Sequence, residues 1–202
     1  MAPSLSPDDV DALFGLADLG VRAGLAGEGV PRVDREGLRP ALRAPLGVFV
    51  TLEVGGALNG CIGSVVPADP LGLAVPSLAW RAAFADPRLP PLAVEEYPAL
   101  EIKLSLVGPL VPMAAGSEGE LLAELRPGVD GLLVRWGTAN ATFLPAVWHK
   151  LRHDPTTFLR HLWAKAGLPP GHWPPGMEAW RYETVDHRRR AVDIPRLGAA
   201  AR

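Results

Sequence analysis

The sequence predicts an α+β fold: a mainly antiparallel β-sheet flanked by helices. Three observations lead there. A glycine-turn hairpin is written into residues 47–64, a further alternating strand stands at 100–106, and strands and helices do not alternate regularly along the chain. Hairpins without regular βαβ alternation favour an antiparallel sheet over a doubly wound parallel one.

The elements follow in order. Ser6 is a helix cap, Pro7 suits a first turn, and Asp8 and Asp9 sit at the positive end of the helix dipole. Val10, Leu13, Phe14, Ala17 and Val21 recur at helical spacing, and the helix is expected to end between Gly24 and Gly27. Residues 27–45, rich in Gly, Pro and Arg, read as a loop with no core element. Residues 47–54 are β-branched and aromatic, Gly55-Gly56 supplies the positive φ angles of a two-residue turn, and Ala57–Ser64 returns as the second strand.

Asp69-Pro70 starts a helix running to about Ala85, with Pro76 expected to kink it or reset its start. Residues 86–92 hold three prolines and read as a stiff loop. Residues 100–106 alternate apolar and polar residues, as a strand with one wet face does. A short helix at 117–125, strands at 131–136 and 141–144, and a helix after Asp154-Pro155 ending at Gly167 complete the pattern. Residues 180–185 read as a closing strand, and the basic segment after His187 as a loose tail.

Composition narrows the function. A net charge of −2 gives no general field for nucleic acid or an anionic membrane. The single cysteine, Cys61, excludes a disulfide within the chain and points to a reducing compartment. No apolar run approaches the roughly 18 residues that span a bilayer, and Met1-Ala2-Pro3-Ser4 shows no signal-peptide pattern, so the expected location is the cytoplasm. The phosphate-loop, dinucleotide and nucleophile-elbow motifs are absent from the sequence, and no cofactor is implied.

Cys61 is the main candidate for chemistry. Glycine in a strand marks a bulge or a close approach to the backbone, and Gly60 and Gly63 flank the thiol, which opens it to a ligand. A following helix aimed at it by its N-terminus would favour the thiolate. The competing reading is a small buried apolar residue, the usual place of a free cysteine. Asp86 and Arg88, held in the proline-stiffened loop, are candidates to orient a ligand, against the simpler reading that Asp86 caps the backbone and pairs with Arg88 in the turn. His149 and His153 stand at a helical ligand spacing. Asp154-Pro155 breaks the helix there and no Glu follows His149, so no metal site is expected.

These residues resemble the signature of the AMMECR family. The segment Leu58-Asn59-Gly60-Cys61-Ile62-Gly63 is similar to that family's hallmark Leu-Arg-Gly-Cys-Ile-Gly. The likeness extends through residues 47–52, 86–92, 100–105, 131–134, 143–147 and 158–169, about residues 7–186 in all. Asn59 stands where the family has arginine, replacing a fork-shaped charged donor with a neutral amide. The resemblance implies a single domain over 1–202, with a core at about 7–186, a smaller lobe and a basic tail at 187–202. It also implies kinship with protein A of the AmmeMemoRadiSam system, which is associated with a Memo-type protein and a radical SAM protein.

Two functions from different classes are therefore expected. The first is a binding component that meets a small ligand or those partners through Asn59, Gly60, Cys61, Ile62 and Gly63 together with Asp86 and Arg88. The alternative is an enzyme using Cys61 as thiolate nucleophile or acid–base group, for which no histidine lies nearby in sequence. Nucleic-acid binding through Arg188-Arg189-Arg190 runs against the acidic net charge.

Overall fold

The computed structural model describes residues 4–169, 171 and 173–196. The expectations for residues 1–3 and 197–202 lie outside the described residues. Two compact units emerge among the described residues: the smaller is residues 108–184, and the larger combines residues 4–107 with residues 185–196.

The larger unit begins with α1, Pro7–Leu25. Ser6 caps it in a reciprocal box: its hydroxyl accepts from the Asp9 amide, while the Asp9 carboxylate accepts from the Ser6 amide at 3.2 Å. The strands are β1 (Val48–Val54), β2 (Ala57–Ser64), β3 (Leu100–Val107) and β8 (Thr184–Arg190), in the order β2-β1-β3-β8. Gly55 and Gly56 both take positive φ in the β1–β2 turn, as the sequence predicts. Helix α2, Leu71–Phe84, returns along β2. Alternate residues Val48, Val50 and Leu52, with Ile102 and Leu104, meet Leu13, Phe14 and Ala17 of α1 and Val75 and Ala79 of α2 in one apolar core. Each such side chain contributes about 2 kcal/mol by leaving water.

The structure departs from the expectations at two places in this unit, the 27–45 loop and the segment after His187, and adds detail at two more. Leu38 and Leu42 of the expected loop are buried in the core, where a short 3-10 turn at Pro40–Arg43 brings Leu42 inward. A second 3-10 segment, Val94–Ala99, precedes β3. Helix α2 runs through Pro76 without a new start, and Gly20 of α1 packs so close to the Pro76 carbonyl that a Cβ there would stand 2.2 Å from its oxygen. The segment after His187 is not loose up to Ile194: it forms the second half of β8, and Ala191 and Ile194 are buried. Two arginines of the run are held, Arg188 by Glu53 and Glu101 and Arg189 by Asp11, which draws them away from phosphate binding.

The smaller unit holds β4 (Val111–Met113), α3 (Glu118–Glu124), β5 (Gly131–Trp136), β6 (Ala139–Phe143), α4 (Val147–Lys150), α5 (Pro155–Ala166) and β7 (Glu178–Tyr182). Its sheet order is β4-β7-β5-β6. The expected closing strand at 180–185 is divided: β7 ends at Tyr182 in this sheet, and β8 begins at Thr184 in the other. Trp148 stacks on Phe158 with centroids 3.8 Å apart, in a core with Leu132, Leu162 and Trp163. Asp154 caps α5 and Gly167 ends it with positive φ. The fold is α+β, with two antiparallel four-stranded sheets. Among the described residues no helix is long and apolar enough to cross a membrane.

Candidate functional site

Cys61 lies at the middle of β2, the edge strand of the larger unit's sheet. The pairing of β2 with β1 slips by one residue: Leu52 faces Gly60 but Glu53 faces Leu58, so Asn59 is the extra residue of a β-bulge. Gly60 then lies against α2, where a Cβ would stand 1.9 Å from the Ala82 carbonyl oxygen, and Ile62 packs toward the core. Cys61 and Gly63 therefore fall on the opposite face from the core that α1 and α2 cover. The sulfur is half-buried and accepts a hydrogen bond from the Thr51 hydroxyl at 3.2 Å.

The strand edge at Cys61 is closed by the loop after α2. The Cys61 amide donates to Asp86 Oδ2 at 3.0 Å, and Arg88 Nη2 donates to the Cys61 carbonyl at 3.1 Å. The two side chains grip each other: Arg88 Nε reaches Asp86 Oδ1 at 2.8 Å and Nη2 reaches Oδ2 at 2.6 Å, while the Arg88 amide donates to Oδ1 at 3.2 Å. This fork-on-fork pair does what a neighbouring strand would do, supplying one acceptor and one donor to an open edge. The Asp86 side chain is 2% exposed and the Arg88 side chain 61%. The Arg88 guanidinium holds the Asp86 carboxyl well below the usual carboxylate range; burial opposes this, and the Cys61 and Arg88 amides reinforce it.

The sequence thus brings Cys61, Asp86 and Arg88 together, but in a different relation from two plain ligand contacts. Both Asp86 oxygens are occupied within the protein, so its geometry is that of a positioning group. Arg88 alone extends to solvent. Asn59 is buried, and its Oδ1 has no hydrogen-bond partner among the described residues. The expectation of a helix N-terminus aimed at the thiol is corrected: α2 runs antiparallel to β2, and the end that reaches Gly60 and Cys61 is the carbonyl end, after which Asp86 follows. The helix dipole brings no positive charge to this sulfur.

Residues that composition did not single out complete the surface. Cys61 pairs across the strands with Thr51, and Thr51 with Lys103, while Lys103 reaches Asp186 of β8 at 2.7 Å. A second row runs from Glu53 to Glu101 and Arg188. The signal that could have located Thr51 and Lys103 is strand pairing, and the bulge at Asn59 hides it. His149 and His153 meet edge to face, with rings 4.9 Å apart; α4 stops at Lys150, and no cluster of three metal-binding side chains occurs among the described residues.

Comparison with known proteins decides the family. The AMMECR1 family model matches residues 20–187. The chain belongs to the AMMECR1 family. An AMMECR1-type relative from Methanothermobacter thermautotrophicus is 36% identical over 180 residues, covering 89% of this chain and 93% of the relative. Another from Thermococcus gammatolerans is 37% identical over 149 residues, covering 71% of this chain and 72% of the relative. The crystal structure of an uncharacterized protein from Pyrococcus horikoshii superposes with a TM-score of 0.80 at 29% identity, covering 92% of this chain and 93% of that one. The AMMECR1 fold is therefore shared along nearly the whole chain, while the family's function is uncharacterised.

Proposed function

We propose that this AMMECR1 protein is a binding component rather than a catalyst, presenting the sheet face around Cys61, Thr51 and Arg88 to a small ligand or a protein partner. The partners expected for it are a Memo-type protein and a radical SAM protein. The observation that carries this reading is the Asp86–Arg88 grip on the Cys61 backbone. A nucleophile needs an adjacent base or a positive field. Here the nearest carboxylate is spent on holding the strand, the Arg88 guanidinium beside Cys61 is tied to that carboxylate, the sulfur's hydrogen-bond partner is a hydroxyl, and the neighbouring helix end is the carbonyl end. The same grip fixes the strand rigidly, as recognition requires.

The test is co-purification of the tagged chain with a Memo-type protein and a radical SAM protein from the same source, comparing wild type with Cys61→Ala. Binding to at least one partner at micromolar concentration, retained in Cys61→Ala, is expected. Absence of association with both, or complete dependence on the sulfur atom, would overturn the reading and favour thiol chemistry.

A further inference from the structure

We propose that the groove between β2 and α2 takes an extended segment of a partner protein, which adds a strand to the sheet edge, places an apolar side chain in the groove and sets a carboxylate against Arg81. The inference goes beyond the sulfur-bearing face and does not use Cys61.

The backbone supplies the first half of the argument. The amide and carbonyl of Cys61 point away from β1, because they bond to Asp86 and Arg88. The two-residue period of a strand puts the same groups of Gly63 on the same open side. Asp86 and Arg88 close the edge at Cys61; among the described residues nothing closes it at Gly63. An unpaired edge is the template used in β-strand addition.

The side chains supply the second half. Ala74, Ser77, Leu78 and Arg81 form one stripe of α2, and with Ile62 and Val48 they line a cavity of about 210 Å³. Pockets for whole cofactors or drug-sized ligands run to roughly 300–1,000 Å³, so this one suits a side chain or two. Its ends carry opposite charges. Arg81 is exposed, and its guanidinium has no hydrogen-bond or ion-pair partner among the described residues, while Asp69 lies at the other end, just before α2 begins. Ten residues of helix separate Leu71 from Arg81, about 15 Å. An extended chain covers that length in about four or five residues. The occupant that fits is a short extended segment with an acidic group at the Arg81 end, an apolar residue in the middle and a basic group toward Asp69.

A random peptide library displayed on phage and selected on the immobilised full chain tests this, followed by fluorescence anisotropy of the enriched peptides. The expected peptides place an acidic residue beside an apolar one. Arg81→Glu weakens them about tenfold or more, and exchanging the peptide's acid for lysine recovers most of the loss. Hydrogen exchange at the Gly63 amide slows on binding, and the chain alkylated at Cys61 binds the peptides as the untreated chain does. Failure to enrich any peptide, equal binding to Arg81→Glu, or unchanged exchange at Gly63 overturns the proposal. So does concentration-dependent self-association abolished by Arg81→Glu, which assigns the groove to a second copy. Peptide binding lost on alkylation of Cys61 with iodoacetamide also overturns it, by placing the peptide on the sulfur-bearing face.

Discussion

The Cys61 amide donates its hydrogen to the Asp86 carboxylate at 3.0 Å across 25 residues of sequence, and the same carboxylate carries Arg88, which returns a hydrogen bond to the Cys61 carbonyl. One ion pair therefore fixes an edge strand at the chain's single cysteine. The pair matters less for its Coulomb energy than for where its remaining hydrogen bonds go.

Asp86→Asn keeps the size and loses the charge, and Asp86→Ala loses the acceptors as well. Each leaves donors at a buried position unmatched, so the expected cost is about 2 kcal/mol for Asn and about 3 kcal/mol for Ala, in urea unfolding at neutral pH. Exchange of the Cys61 amide should quicken in both.

Arg88→Ala has a pH signature. Because Arg88 is the main cause of the depressed Asp86 ionisation, the wild-type carboxylate contributes stability that is fully present above the unfolded value of about 4. That contribution is lost as pH falls through the folded value, which lies lower. Urea midpoints measured from pH 6 downward should therefore show a smaller acid loss in Arg88→Ala than in wild type. An identical slope would show that the pair does not set the ionisation of Asp86.

Gly60→Ala should be among the most damaging single changes. Its added carbon would stand 1.9 Å from the backbone oxygen of Ala82, and neither the helix backbone nor the bulged strand yields cheaply. Overpacking of this kind costs about 3 kcal/mol, read as a fall in Tm. By contrast Asn59→Leu should stabilise by about 1 kcal/mol, since it removes a buried oxygen that has no partner among the described residues.

At the other side of the larger unit, the Tyr97 hydroxyl donates to Asp18 Oδ1 at 2.5 Å. Burial first, and then that hydrogen bond, push Tyr97 up to about 12. The unfolded phenol ionises near pH 10, so its stabilising contribution is whole below that and is lost as pH rises toward about 12. Tyr97→Phe should flatten this alkaline loss in thermal unfolding between pH 9 and 12; an unaltered slope would assign the loss to other groups.

Much of this architecture is legible in the residues themselves. The Ser6 cap, the Gly55-Gly56 turn and the stop at Gly167 are local signals, and each marks its element within a residue or two. The failures are tertiary. Leu38 and Leu42 look like loop residues because only the fold supplies the surface that buries them. The division of the last strand at Glu183 cannot be read from a run that is β-prone on both sides. Pro76 is tolerated because close packing against Gly20 holds the helix where the lost amide weakens it.

The site was half legible for the same reason. Cys61, Asp86 and Arg88 stand out by residue type and by the stiffness of their loop. Thr51 stands out only once register is known, and counting back from the Gly55-Gly56 turn pairs it with Gly60. The extra residue at Asn59 moves its partner to Cys61, so a single bulge decides which side chain touches the sulfur.

The most direct test of the binding account uses the chain's sole thiol. Isothermal titration of a Memo-type protein, and separately of a radical SAM protein, should be run against the wild-type chain before and after complete alkylation of Cys61 with iodoacetamide. The account predicts micromolar association with at least one of them, weakened about tenfold or more by the adduct that fills the face beside Thr51 and Arg88. Association that the adduct leaves unchanged, or none with either protein, would contradict it.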